Sequence, residues 1–369
     1  MATISKYETK SGTTLYRVRY RTPEGRQTDK RGFDTKREAQ VFANTVEVSK
    51  AKGEYVAPST GRITIGALGP DWLTRQQGHM RPSGFRSYES TWRMHVAPRW
   101  ESAQISAIRF SDVQAWVSSM ATTHGATTVQ RAYSILAQTL DDAVRDRMLA
   151  ASPARGVKLP KRSPQKHVYL SAEQLNALAA ESGSYRGLVL LLGTAGLRWG
   201  EAAALRVADV DWAKCRVNLT RNAVMVGSRV IVGPLKTHEN RSVPVPRFVI
   251  EALSVAMAGK SRDDLIWSTG TGEPMGPPCV GTNGTSWLAY AVRRCQDADP
   301  TFPAITAHAL RHTAASLAVS AGANVKVLAR ALGHAKASMT LDVYADLFDA
   351  DLDTVAENVG MMWARVGNS

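Results

Sequence analysis

The sequence predicts a multidomain chain, mainly α with small β-sheets, and three observations carry that expectation. The chain has 369 residues, enough for two or three domains with at least one substantial core. Apolar residues recur at helical spacing through most of it, whereas period-two alternation is confined to short runs. Its positive charge is also uneven. Residues 1–60 hold 12 Lys+Arg against 7 Asp+Glu, residues 61–168 hold 15 against 7, and residues 169–369 hold 19 against 18.

The first domain is expected over 1–56. Leu15 to Arg21 alternates, with Tyr16, Val18 and Tyr20 on one face and Arg17, Arg19 and Arg21 on the other. Pro23-Glu24-Gly25 signals a turn, and Gln27 to Phe33 returns as a strand. Thr35 with Glu38 reads as a capping box for a helix carrying Ala39, Phe42, Ala43 and Val46. The arginine face suits DNA phosphates or guanine edges, and its ordinary alternative is a solvated strand face.

The second domain, 63–151, reads as helical. Val113, Trp116, Val117 and Met120 mark one helix; Val129, Tyr133, Leu136, Leu140 and Val144 mark a longer one. Ser152-Pro153 is expected to end that helix. Residues 152–168 form a basic linker with Lys158, Lys161 and Arg162 suited to a DNA backbone. The third domain, 169–355, mixes helices and strands. Ser171 with Gln174 reads as a capping box, and strands are expected at Arg216–Leu219, Val230–Val232 and Ser242–Val245. Helices follow near Thr306–Val319, Val325–Leu332 and Met339–Phe348, leaving 356–369 as a tail.

Composition narrows the class. Hydrophobic residues are 44% and charged residues 21%, the profile of a globular chain, and no apolar run is long enough to cross a bilayer. Met1 to Lys10 is polar and unlike a signal peptide. Cys215, Cys279 and Cys295 form no CxxC pair, so neither a zinc site nor a disulfide framework is expected, and a reducing cytoplasm fits. A formal net charge of +14 points to a polyanionic partner, nucleic acid being the usual one, with a merely basic soluble protein as the alternative.

The third domain carries residues suited to a phosphodiester. Arg198 follows an apolar run and Arg311 sits in an apolar helix, where a charge needs a partner. Forked guanidiniums can grip non-bridging oxygens. His308, three residues before Arg311, or His334 can assist proton transfer. His312 is expected to point elsewhere as a structural hydrogen-bonding residue. Lys236 is placed at a hairpin tip, where it can protonate a leaving oxygen or simply solubilise a turn. Tyr344 is the candidate nucleophile, against ordinary aromatic packing. Asp209 and Asp211 read as turn and cap residues rather than metal ligands, and no metal cluster is expected.

Four boxes in order then resemble the tyrosine recombinase (lambda-type integrase) family. They are Arg198-Trp199-Gly200-Glu201; Pro234-Leu235-Lys236-Thr237 with Arg241-Ser242-Val243-Pro244; His308-Ala309-Leu310-Arg311-His312; and Leu332-Gly333-His334 with Tyr344. One departure is the ten-residue interval from His334 to Tyr344, where many members have nine. The resemblance implies a 3′-phosphotyrosine formed by Tyr344, a phosphate held by Arg198, Arg311, His308 and His334, a 5′ oxygen protonated by Lys236, and support from Glu201. It implies no cofactor and a tetramer passing through a Holliday junction on double-stranded DNA. By the same likeness, 63–151 is a SAM-like core-site-binding domain and 1–56 an arm-type-site-binding domain. Integration and excision of a phage or mobile element follow, with a host DNA-bending protein and an excision factor as partners. Two other readings remain at this point: a non-catalytic DNA-binding regulator, and a type IB topoisomerase-like relaxing enzyme.

Overall fold

The computed structural model describes residues 2–23, 25–53, 55–57, 60–162, 167–235, 240–280, 284–334, 336–349, 357, 359–361 and 363. The chain divides into two compact units, Met1–Pro164 and Gln165–Ser369. The division falls inside the basic stretch 152–168.

Unit 1 opens with an antiparallel sheet of β1 (Thr3–Glu8), β2 (Thr14–Arg21) and β3 (Gln27–Phe33), in that order. Strand β1 was not foreseen, because Thr-Ile-Ser-Lys-Tyr-Glu alternates too weakly to announce itself. Val18 and Tyr20 are buried against Ala39, Ala43 and Val46 of helix α1 (Lys36–Ala51). Thr35 caps that helix by accepting from the Glu38 N–H at 3.2 Å, but the Glu38 carboxylate reaches the Asp34 N–H instead of closing the box on Thr35. Arg19 and Arg21 lie exposed on the opposite face, and Arg17 Nε donates to Ser5 Oγ at 2.8 Å. Across the strands Arg17 faces Arg31 and Arg19 faces Asp29, and Arg31 pairs with Asp29 at 2.8 Å. Asp29 thus offsets part of the repulsion among these guanidiniums.

The helical part comprises α2 (Ile65–Gln77), α3 (Pro82–Thr91), a π-turn at Trp92–Val96, α4 (Ala97–Trp100), α5 (Phe110–Thr123) and α6 (Ala126–Arg145). Its core joins Trp72, Trp100, Val113, Val117, Leu136 and Leu140, the last two on the stripe the sequence marked. Helix α6 stops at Arg145, well before Ser152-Pro153. Arg147 takes a left-handed φ of 55°, which turns the chain out of the helix before proline can act. The stretch that follows is strapped to the helices. Gln114 exchanges bonds of 2.9 and 3.2 Å with the Lys158 backbone, and Gln130 donates to Pro160 O at 2.8 Å and accepts from Arg162 Nε at 2.9 Å. Lys158, Lys161 and Arg162 are all exposed.

Unit 2 is built around α8 (Arg186–Ala195), in which Leu188 to Leu192 are all buried. Such a helix needs apolar cover on every side. Helices α7 (Ala172–Ala180), α10 (Arg247–Met257) and α12 (Ala307–Ser320) supply it. The Ser171–Gln174 capping box is present at the start of α7. A short helix α9 (Trp199–Ala203) follows α8 directly. Strands β4 (Val210–Asp211), β5 (Arg216–Leu219) and β8 (Arg241–Pro244) make one sheet, while β6 (Arg221–Val226) and β7 (Arg229–Pro234) make a separate hairpin. This corrects the expected hairpin at Lys236. The strands flanking that lysine belong to different sheets, because β7 pairs back onto β6 and β8 pairs with β5. Asp209 accepts from the Arg206 N–H and Asp211 from the Lys214 N–H, the cap and turn roles expected of them. Helices α11 (Trp287–Ala298), α13 (Val325–Leu332) and α14 (Ser338–Asp349) complete the unit. Among the described residues no helix is long and apolar enough to cross a membrane.

Close packing makes one glycine of unit 1 testable. A Cβ on Gly69 of α2 would lie 1.9 Å from the Trp92 ring. Alanine gains about 1 kcal/mol in helix propensity, but overpacking against a partly buried indole costs about 1–3 kcal/mol. Gly69→Ala is therefore expected to lower the denaturation midpoint in chemical unfolding, and an unchanged or higher midpoint would show that Trp92 yields freely.

Candidate active site

Two left-handed glycines set the site. Gly196 (φ 66°) ends α8 and Gly333 (φ 66°) ends α13, each in the conformation that only glycine adopts cheaply. A side chain at either would also have to displace a neighbour. A Cβ on Gly196 would meet Leu332 at 2.6 Å, and one on Gly333 would meet the Arg241 guanidinium at 2.8 Å. The turns also expose carbonyls: Gly196 O accepts from Arg311 Nη1 at 2.6 Å, and Gly333 O accepts from Arg198 Nη2 at 3.2 Å. Because α12 packs along α8, Arg311 on the former reaches the end of the latter.

Glu201 is 2% exposed and holds two arginines. Its Oε1 accepts from Arg198 Nη1 at 3.0 Å and from Arg241 Nη1 at 2.9 Å; its Oε2 accepts from the Arg198 N–H and from Arg241 Nη2, both at 2.8 Å. Burial works to raise the carboxyl pKa, but the Arg241 hydrogen bonds and charge, with those of Arg198, outweigh it and hold the group below its ordinary value. Gly200 lets α9 approach β6, since a Cβ there would lie 2.2 Å from Ala223 O.

Arg311 is 3% exposed and donates through Nη2 to Leu332 O at 2.8 Å and to His334 Nε2 at 2.9 Å. Burial, then the Arg198 charge, pulls its pKa down to about 10, so it stays cationic at neutral pH. A guanidinium only donates, so His334 Nε2 is the acceptor and Nδ1 carries the proton, donating to the buried Thr340 Oγ1 at 2.8 Å. Burial, followed by the charges of Arg311, Arg198 and Arg241, lowers the His334 pKa to about 4. The imidazole is neutral at pH 7.

His308 is lowered by burial and by the charges of Arg311 and Arg198, so it shares their surroundings. Tyr344 is 2% exposed, its ring packed among Ala315, Val319, Leu328 and Leu332. Burial pushes its phenol up to about 12, against the opposing pull of Arg311. The helical path of α14 is interrupted at Tyr344 (φ −127°, ψ 16°). The phenol oxygen lies 2.8 Å from His312 Nδ1. This corrects the reading that His312 points elsewhere. His308 and His312 are four residues apart on one helical face, with ring centroids 4.9 Å apart.

Unit 2 thus brings Arg198, Glu201, His308, Arg311, His334 and Tyr344 together. Lys236 lies outside the described residues, and Arg17, Arg19, Arg21, Lys158, Lys161 and Arg162 belong to unit 1. Sequence reasoning missed Arg241 and His312 as members. A buried glutamate in an alanine-rich helix demanded a cation, and the i, i+4 spacing to His308 was the signal for His312.

The fold has counterparts among solved structures. The integrase of transposon Tn1549, in complex with transposon right end DNA, superposes with a TM-score of 0.67 at 20% identity, covering 80% of this chain and 100% of that one. A lambda integrase tetramer bound to a Holliday junction gives 0.57 at 15% identity, covering 90% and 95%. Sequence relatives include the integrase of Mycobacterium phage D29, 24% identical over 330 residues and 84% of each chain. The prophage integrase IntR of Escherichia coli is 27% identical over 345 residues, 82% of this chain and 80% of its own. Together with the convergent arginines, histidines and tyrosine, these likenesses define a site-specific tyrosine recombinase. Residues 169–351 match the phage integrase family, and that part of the chain belongs to it.

The Glu201 carboxylate gives a prediction with a sign. Its folded pKa is depressed, so the stability it contributes is present above the unfolded value of about 4.3 and fades as pH falls through the folded value. Glu201→Gln leaves two guanidiniums without their counter-charge and is expected to cost about 3 kcal/mol at pH 7. In urea titrations this deficit should shrink below pH 4; a deficit that stays constant with pH would mean that packing, not charge, is lost.

Proposed function

We propose that this recombinase integrates and excises a phage or other mobile element, cutting and rejoining DNA through a 3′-phosphotyrosine on Tyr344. The observation that carries this reading is the convergence of Arg198, Arg311, His308 and His334 on the part of unit 2 that holds Tyr344. Arg198 and Arg311 grip the non-bridging oxygens of the scissile phosphate, and their charge favours the more anionic transition state. Arg311 and Thr340 fix the ring of the neutral His334 beside the phosphate site. His308 joins them at the phosphate. Tyr344 Oη attacks phosphorus as its proton passes to a neutral imidazole at the phosphate; the P–O5′ bond breaks; and Lys236 protonates the departing 5′ oxygen. The bond energy is kept in the phosphotyrosine, so rejoining needs only the reverse attack by a 5′ hydroxyl. Glu201, with Arg241, keeps Arg198 in place.

The exposed basic residues of unit 1 supply the rest. Residues 63–151 act as the core-site-binding domain, and the strapped basic stretch with Lys158, Lys161 and Arg162 follows the phosphate backbone. The sheet of residues 1–56 binds arm-type sites through Arg17, Arg19 and Arg21. The working assembly is a tetramer on DNA, aided by a host DNA-bending protein and an excision factor, in the cytoplasm of a bacterial host.

Two experiments test this reading. Tyr344→Phe is expected to abolish covalent capture on a nicked core-site duplex while binding that duplex as tightly as the parent; undiminished capture removes Tyr344 from the role. A chain lacking residues 1–56 is expected to retain capture on the core site but to lose recombination of substrates that require arm-type sites. Normal recombination by that shortened chain would overturn the arm-binding assignment.

A further inference from the structure

The Tyr344 phenol is enclosed, and its hydrogen bond among the described residues runs to His312, a residue that the reaction described above leaves without a task. His312 is itself covered. The His167 ring, on the segment entering α7, lies 4.2 Å from the His312 ring at an interplanar angle of 36°, and 6.4 Å from the Tyr344 ring. The three rings form one stack-and-edge cluster, with His312 set at 61° to Tyr344.

We propose that His312 is the positioning residue for the Tyr344 phenol, and that His167 seats the His312 ring so that its Nδ1 stays aimed at the phenol oxygen. This rests on the assignment of Tyr344 as nucleophile. The chain path of α14 breaks at Tyr344, so the helix alone does not fix the direction of the side chain. A hydrogen bond at the far end of the ring does. Charged and titratable groups face the pair from several elements. His308 and Arg311 face it from α12, His334 from the turn after α13, and His167 and Tyr169 from the segment before α7. Burial first, then His167, His308 and the arginine charge, lowers the His312 pKa to about 4. In the proposed arrangement His312 carries its proton on Nε2, so that Tyr344 Oη–H donates and His312 Nδ1 accepts. The phenol is thus held protonated and aimed until a bound phosphate changes the balance of charge around Arg311.

The test uses the full-length protein with 3-fluorotyrosine placed at position 344, read by fluorine NMR, alongside single-turnover covalent capture on a nicked core-site duplex. His312→Ala removes the acceptor. It is expected to slow capture about ten-fold, the rate equivalent of one neutral hydrogen bond, with duplex binding unchanged, and to shift the position-344 titration toward that of free fluorotyrosine. His312→Asn, whose carboxamide oxygen occupies the Nδ1 position, is expected to recover most of the rate and the titration. His167→Ala should produce the alanine effect in smaller measure. Capture at the parent rate by His312→Ala, or equal rates for His312→Ala and His312→Asn, overturns the proposal. Tyr344→Phe run in parallel separates the two readings. If it still forms covalent product, the nucleophile assignment fails. If it is dead while His312→Ala is unimpaired, only the role of His312 fails.

Discussion

Arg198, Arg241 and Arg311 are drawn into one corner of unit 2, and the arrangement depends on the buried carboxylate of Glu201 and on carbonyls freed where helices end. Desolvating a guanidinium is costly unless its donors are matched. Glu201 matches two of them at once, with both oxygens occupied on both sides. Among the described residues Arg311 pairs with no carboxylate, and it relies on Gly196 O and Leu332 O. Those carbonyls are free because the last turn of a helix has no intrahelical partner for them. The left-handed glycines are therefore part of the electrostatics of the site as well as its backbone.

The histidines follow from the same cations. Burial first, and then neighbouring positive charge, keeps the imidazoles neutral, and neutrality gives each ring one donor and one acceptor. His334 uses both, accepting from Arg311 and donating to Thr340. His312 Nδ1 faces the Tyr344 phenol oxygen at 2.8 Å. Charge that suits a phosphate thereby also fixes the protonation and direction of the groups around it. Tyr344 is held in the opposite sense: burial keeps the phenol protonated, and Arg311 pulls the other way.

Much of this was legible in the chain. Helices with long apolar stripes were placed closely, Val325–Leu332 among them, because burial of one face imposes a 3.6-residue period. The boxes around Arg198, His308–Arg311 and His334 stood out as charges and imidazoles in apolar settings. Short strands fared worse. β1, β4 and β6 escaped notice, and the pairing around Lys236 was misjudged, since two strands near in sequence paired with other neighbours. The end of α6 was set by a left-handed Arg147 and not by the proline that follows, a choice local sequence does not announce.

What the sequence determined by itself is the chemistry: the residue types, their order, and the helical faces that carry them. Periodicity and the cost of burying charge are local properties, so they can be read along one chain. The tertiary structure decided the partners. That Glu201 binds Arg241 from a distant strand, and that His312 meets Tyr344 and sits beneath His167, depends on α8 being wrapped by α12 and on two glycine turns meeting there. Those contacts join residues far apart in the chain, and only close packing of the whole unit brings them within hydrogen-bonding distance.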